Sequence, residues 1–371
     1  YIPINTWFTM SSKMALPLVA LQNAELNISV TLRSIQQLFS IKDVIDVENN
    51  HPRIQPNFTN TAMAFYRFLQ PPPSVQLNDS DYGDKRVLWD ADIHLLTTQC
   101  FLSNDERNLF AAQDQNYLIK EIHEYTFNDV VGTKKIKVPT SGMVSNWMFT
   151  FQRNDAYLRN QWSNITNWPY DYLPMNIDIP PFQLPEEYNS NIYGDSGVYL
   201  EGKEINNMLI GPAINPNATL TNLYITPTYS NINTKDILMD FGILIDGNYR
   251  ENSMDSGVYN YVEKYVRTNG NGKNGLYCYN FAINSNPYDT QPSGAMNLSM
   301  FNNIELEIST IIPEIDPLAV VYTVCDENGN LVGINKPSWI IYDYTFNMTL
   351  FEERYNILTF VGGNCGLQYA R

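Results

Sequence analysis

Ile237-Leu238-Met239-Asp240-Phe241-Gly242-Ile243-Leu244-Ile245 is the stretch whose reading decides the fold class. It is apolar over the length of one strand, and Asp246-Gly247 closes it with a turn signal. Strand signals then recur at short intervals. Leu276-Tyr277-Cys278-Tyr279 follows Asn274-Gly275. Ile304, Leu306 and Ile308 alternate with Glu305 and Glu307, the period of a strand with one buried face. Residues 318–324 and 331–334 flank Asp326-Glu327-Asn328-Gly329-Asn330, which reads as a hairpin turn. Residues 339–346 and 356–360 complete the set, and 143–152 (MVSNWMFTFQ) reads the same way upstream. Repeated short strands with turn signals between them argue for a β-sandwich or barrel.

The N-terminal half carries weaker signals of the same kind. Residues 1–38 are expected to hold strands: Leu16 to Leu21 is a nearly continuous apolar run, and Leu26, Ile28, Val30 and Leu32 alternate with polar residues. Residues 41–85, with Pro71-Pro72-Pro73 and Asn78-Asp79-Ser80-Asp81, read as a long loop. Apolar character resumes from Arg86-Val87-Leu88-Trp89 to Cys100-Phe101. Ser103, with Glu106 three residues on, fits a capping box and opens the clearest short helix. Residues 117–127 (YLIKEIHEYTF) fit a strand or a helix. Residues 128–142 are polar and hold Pro139 and Gly142, so a division between residues 1–135 and 136–371 is expected there. Residues 153–235 are too long for one loop and are expected to hold short strands and large surface excursions.

Composition bounds the function. The chain has 371 residues, more than one core usually serves, so two domains are expected. Aromatic residues make up 13%, with 25 Tyr, which suits strands; 21 Pro and 19 Gly suit many loops. With 23 basic and 39 acidic residues the net charge is −16, so no basic surface is available to displace the counterions of nucleic acid, and direct nucleic-acid contact is not expected. The one dense basic run, Lys134, Lys135 and Lys137, reads as a solvated loop or strand edge. No stretch of 18 apolar residues encodes a membrane span. Cys100, Cys278, Cys325 and Cys365 form no C-x-x-C and are expected as buried free thiols.

Searches for chemistry return little. His51, His94 and His123 are scattered and make no metal-ligand spacing, so no metal, cofactor or catalytic residue is expected. Residues 269–275 (NGNGKNG) resemble a phosphate loop superficially, but Arg267 and Asn274 stand where it needs Gly and Ser or Thr; a flexible turn is the better reading. Asp326 to Asn330 lacks the glutamate of a calcium loop. Glu352-Glu353 is read as a solvated acidic face. Seven N-x-[ST] sequons begin at Asn27, Asn57, Asn78, Asn164, Asn217, Asn297 and Asn347.

Several stretches, in order along the chain, resemble the major capsid proteins of nucleocytoplasmic large DNA viruses. Ile2-Pro3-Ile4, Trp7-Phe8 and 15–22 (ALPLVALQ) are similar to that family's first segment, and Asp105-Glu106-Arg107, Phe110-Ala111, Tyr117-Leu118-Ile119 and Glu121 to its next. Tyr279-Asn280-Phe281-Ala282, Gln291-Pro292-Ser293-Gly294 and Asn297-Leu298-Ser299 carry the most specific likeness, with Ala295-Met296 where the family has Thr-Cys. Gly247-Asn248-Tyr249-Arg250 and the C-terminal 355–370 add to it. Pro292 and Gly294 read as a structural corner before the strand from Asn297.

The resemblance implies an all-β chain of two consecutive jelly-roll sandwiches, with the strands that open the first roll lacking a counterpart before Tyr1. It implies a non-enzymatic shell protein forming homotrimers of pseudo-hexagonal outline, with neighbouring capsomers, penton and minor capsid proteins as partners. It also implies assembly in the host cytoplasm and residence in the virion, near an internal viral membrane. The alternative is a carbohydrate-binding or carbohydrate-active β-sandwich, in which Trp162, Trp168 and Tyr170 would stack on sugars.

Overall fold

The computed structural model describes residues 2–34, 37–39, 93–167, 235–268, 272–286, 288, 291–313 and 344–369, and the backbone of eight short strands elsewhere. Helix α1, Asn104–Ala112, opens as expected: the Ser103 hydroxyl accepts from the Glu106 backbone N–H at 3.4 Å, and the Glu106 carboxylate accepts from the Ser103 backbone N–H at 2.9 Å. Strands β1 (Gln115–Phe127), β2 (Thr133–Lys137), β3 (Met143–Arg153), β4 (Leu238–Ile245), β5 (Asn248–Asp255), β6 (Leu276–Asn280), β7 (Met296–Asn297), β8 (Ile304–Thr310), β9 (Phe346–Val361) and β10 (Asn364–Leu367) follow. A π-helical turn, Val258–Val262, runs into α2, Glu263–Arg267, between β5 and β6.

Two sheets form from these strands, all antiparallel. One has the order β2-β8-β4-β5, the other β1-β9-β3-β6, with β7 continuing beside β3 and β10 beside β9. The chain changes sheet from β1 to β2 to β3 to β4, stays for β5, then returns through β6, β8 and β9. Eight long strands in two four-stranded orders of this kind make a jelly roll. The all-β class holds, and the ambiguous 117–127 stretch is a strand because β9 pairs with it over thirteen residues, from Phe127 opposite Met348 to Gln115 opposite Phe360.

Strand pairing crosses the position between residues 135 and 136 where the sequence suggested a division. β1 and most of β2 precede it, yet their ladders run to β9 and β8. Polar residues 128–142 therefore serve as turns around an edge strand within one roll. Lys134, Lys135 and Lys137 sit on that edge, and Lys135 reaches Glu307 of β8 at 3.9 Å. Charged side chains on an edge strand discourage pairing with another chain.

Alternation sets the core. Ile304, Leu306 and Ile308 of β8 and Phe346, Met348 and Leu350 of β9 point inward, meeting Val144, Trp147, Phe149 and Phe151 near β3 and Phe241 and Ile243 of β4. Phe149 stacks on Phe241 at 4.6 Å and on Tyr277 at 5.4 Å between ring centroids, joining the two sheets. Each such ring, fully buried, contributes roughly 1.5–3 kcal/mol. Asp246 (φ 47°) and Gly247 (φ 83°) make the β4–β5 turn left-handed at both central positions, the hairpin geometry that Asp-Gly favours. The Asp246 carboxylate also accepts from the Asn302 and Asn303 backbone N–H groups at 3.0 and 2.8 Å, fixing the turn to the start of β8.

The N-terminal expectation is corrected. Residues 2–34 form 3-10 turns at Trp7–Thr9, Ser12–Met14 and Leu18–Ala20 and no strand. Leu26, Ile28, Val30 and Leu32 are all about half exposed, because no strand among the described residues pairs with them. The segment instead lies against the end of β9: Gln22 and Asn23 donate their backbone N–H groups to the Gly363 carbonyl at 3.0 and 2.9 Å, and Trp7 packs on Tyr117. Residues 93–102 are likewise without a ladder.

Elsewhere Ile41–Lys42, Arg53–Ile54, Leu331–Asn335 and Tyr322–Cys325 form a small sheet in that order, so the two arms flanking the 326–330 turn do pair. Val198–Leu200 pairs with Leu223–Ile225 and Lys203–Ile205 with Met208–Ile210, short strands of the kind expected for 153–235. The proline run, Asn78 to Asp81, residues 86–89, the 326–330 turn, residues 269–271, Trp168, Tyr170, His51 and the sequons at Asn57, Asn78 and Asn217 lie outside the described residues.

Candidate functional site: buried charges and an apolar helix face

The acidic pair Glu352-Glu353 is not a solvated face. Glu352 is fully buried and Glu353 nearly so. Successive strand residues face opposite sides of a sheet, so burying both requires cover on both sides. Glu352 points toward the other sheet. Its carboxylate accepts from Trp147 Nε1 at 2.6 Å, from Arg354 Nε at 2.5 Å and from Thr140 Oγ1. Arg354 also donates to the Tyr125 hydroxyl at 2.5 Å. Burial, with Glu352 beside it, raises the Tyr125 phenol above its ordinary value.

Glu353 points the other way and marks a β-bulge. The β3–β9 register steps from Asn146 opposite Glu353 to Val144 opposite Arg354, leaving Ser145 without a partner residue on β9. Ser145 Oγ donates to the Glu353 carboxylate at 2.6 Å, Asn146 Nδ2 donates at 3.1 Å, and Lys120 Nζ lies at 3.0 Å. The freed Ser145 carbonyl accepts from the Phe281 and Ala282 backbone N–H groups. The family-like Tyr279 to Ala282 stretch is therefore fastened to the bulge. The Pro292–Gly294 corner behaves as read: Gly294 has φ 139°, and Ser293 Oγ accepts from the Asn284 backbone N–H at 2.9 Å.

The segment 258–267 covers the flank of the sandwich. Tyr259 enters the core, 4.8 Å from Phe241 and 6.4 Å from Tyr279, and donates to the Phe241 carbonyl at 2.9 Å. Its outer side carries Tyr261, Val262, Tyr265 and Val266, of which Tyr265 is 89% exposed. Four large apolar side chains on one short exposed segment mark an interaction surface more readily than scattered single ones. Nothing in the polar-looking 248–270 sequence announced this helix.

Other singled-out residues fall apart in space. Cys278 is buried, but Cys100 and Cys365 are exposed, which corrects the expectation of buried thiols. His123 lies 3.5 Å from Glu121. Among the described residues, no group of three His, Cys, Asp or Glu side chains could hold a metal ion. No helix among them is long and apolar enough to cross a membrane. Trp162 has the Arg33 guanidinium over one ring face, 3.7 Å from the centroid, and donates to the Gln37 carbonyl, so that face is not open to a sugar. The sequon at Asn164 is buried, its side chain accepting from Thr166.

A family model described as the large eukaryotic DNA virus major capsid protein matches residues 106–366, and one described as the major capsid protein N-terminus matches residues 1–69. The major capsid protein of Paramecium bursaria Chlorella virus 1 is 24% identical over 377 aligned residues, covering 100% of this chain and 66% of that protein. That of Phaeocystis pouchetii virus is 20% identical, covering 100% and 65%. The chain thus spans about two thirds of the length of the curated relatives it matches. Among solved structures, the PBCV-1 capsid aligns with 73% of this chain and 55% of its own, at 19% identity and a TM-score of 0.43.

Proposed function

The chain belongs to the major capsid protein family of large eukaryotic DNA viruses, and from this premise we propose that it is a shell subunit that works by assembling with copies of itself. The described residues hold one such sandwich; with the second that the family likeness implies, two similar sandwiches per chain under threefold symmetry would give six similar wedges, and such a block tiles a hexagonal lattice. The observation that carries the reading is the apolar outer side of the 258–267 segment, which needs a partner surface in an otherwise acidic protein. In this reading the trimer meets neighbouring capsomers, penton and minor capsid proteins in the virion, and the subunit performs no catalysis.

Light scattering after gel filtration checks it directly. The full chain is expected to elute at three times the subunit mass, with a hexagonal outline in negative-stain micrographs. The double substitution Tyr265→Ser with Val266→Ser is expected to shift it toward monomer while leaving the circular dichroism of the β-sandwich unchanged. A folded monomer for the unaltered chain would overturn the assembly reading.

A further inference from the structure

Beneath the exposed side of the same helix lies a group of side chains that the shell role does not use. Asn260 is fully buried and Lys264 is 7% exposed. Lys264 Nζ donates to Asn260 Oδ1 at 2.9 Å and to the Lys273 carbonyl at 3.1 Å. The Gly275 backbone N–H also points at Asn260 Oδ1, at 3.4 Å. Asn260 Nδ2, by contrast, is buried with no hydrogen-bond partner. An orphaned amide nitrogen of this kind carries a desolvation cost of about 1–3 kcal/mol and calls for an explanation. The loop over the group is tight: a Cβ at Gly272 would meet the Lys264 side chain at 3.0 Å.

We propose that Lys264 and Asn260 join in an intramolecular amide bond formed by the folded protein itself. The unprotonated Lys264 amine attacks Asn260 Cγ, and the N–Cγ bond forms. The carbonyl oxygen is already held by the Gly275 N–H. The Cγ–Nδ2 bond then breaks, Nδ2 gains a proton, and ammonia leaves. One amide replaces another, so nothing is oxidised or reduced and no outside reactant is needed. The leaving atom is the nitrogen to which the fold gives no partner. Spacing of four residues on one helical segment brings the two side chains to the same face.

Electrostatics around the pair suit the reaction. Burial lowers Lys264 below its ordinary value, favouring the neutral nucleophile, while Cys278 and Asp236 act in the opposite direction. Asp236, coupled to Lys264, is itself raised by burial and by Asp255, with Lys235 and Lys264 opposing. In the proposed reaction Asp236 takes up the proton released by the amine and returns it to the departing nitrogen. The other charged or titratable neighbours are Tyr261, whose ring lies 6.0 Å from Lys264 Nζ, and Glu263, which accepts from Asn280 Nδ2.

Intact-mass and peptide-mass spectrometry of the purified full chain tests the bond. The unaltered protein, after prolonged folded incubation, is expected to lose about 17 Da, one ammonia. Its tryptic peptide 251–267 is expected to resist cleavage after Lys264. Lys264→Arg restores the full mass, and Asp236→Asn slows the loss. An unaltered wild-type mass overturns the proposal by itself, whether or not the variants fold. So does a loss located within residues 251–267 that persists in Lys264→Arg, since that assigns it to a succinimide at Asn260; hydroxylamine, which cleaves the chain at a succinimide and leaves a side-chain amide intact, separates the two. Neither result bears on oligomeric state, so the assembly reading stands or falls separately.

Discussion

Replacing Glu352 with Ala is expected to destabilise the jelly roll by about 3–5 kcal/mol, the range for removing one partner of a buried ion pair. The carboxylate is fully buried and answers four donors from four places in the chain: Trp147 on β3, Thr140 in the β2–β3 turn, Tyr125 on β1 and Arg354 on β9 itself. Its loss leaves the Trp147 N–H without an acceptor and the Arg354 guanidinium without its countercharge in a largely enclosed site. Glu352→Gln keeps the shape and one acceptor, so its cost is expected to be smaller. Denaturant unfolding followed by tryptophan fluorescence reads both, as a shift in midpoint at constant slope. A Glu352→Ala midpoint within error of the parent would show that the network contributes nothing to stability.

Gly275→Ala is expected to cost roughly 2–4 kcal/mol, from a left-handed backbone position together with overpacking. Gly275 has φ 88°, and a Cβ there would press into the Ile165 backbone oxygen, with the Ile165 side chain at 3.2 Å behind it. Neither obstacle is the far end of a flexible side chain, so relief requires moving the turn that starts β6. The same turn supplies the N–H to Asn260 and the carbonyl of Lys273 to Lys264. Gly247→Ala is the control: it shares the positive φ, 83°, but nothing lies within 4 Å of its added carbon. If the two variants melt together, the close approach at Ile165 is not what makes Gly275 necessary.

The NGNGKNG stretch shows how sequence reading and structure divide. Its mismatch to a phosphate loop was legible, because the residues a phosphate loop requires are absent. The close approach of Gly275 was not, since that depends on Ile165, more than a hundred residues earlier in the chain. Strand β9 gives a second instance. Residues 356–360 read as strand, but 347–355 contain Glu352, Glu353 and Arg354 and did not, although all lie in one sixteen-residue strand. Charged residues argue against burial in any local window; only the neighbours on β1 and β3 show that these charges are satisfied. Strand β5 was missed for the opposite reason: it is an edge strand with mostly exposed side chains, so it has no alternation to read.

The helix at 258–267 left no usable signal. It is short and apolar on its outer side, so the ordinary amphipathic pattern is inverted. Leu26 to Leu32 erred the other way: alternation was present, but alternation describes a strand's faces and not its hydrogen-bond partner.

By itself the sequence determined the all-β class, the helix cap at Ser103, the turn at Asp246-Gly247, the alternating core strand at Ile304 to Ile308 and the family likeness, because each depends on residues a few positions apart. Only the tertiary structure decided where the roll begins, that Glu352 and Glu353 are buried on opposite faces of one sheet, and that Asn260 and Lys264 meet beside the turn that opens β6. Those outcomes rest on ladders and packing between distant segments, such as Gln115 opposite Phe360, and no local pattern records which distant partner a residue will find.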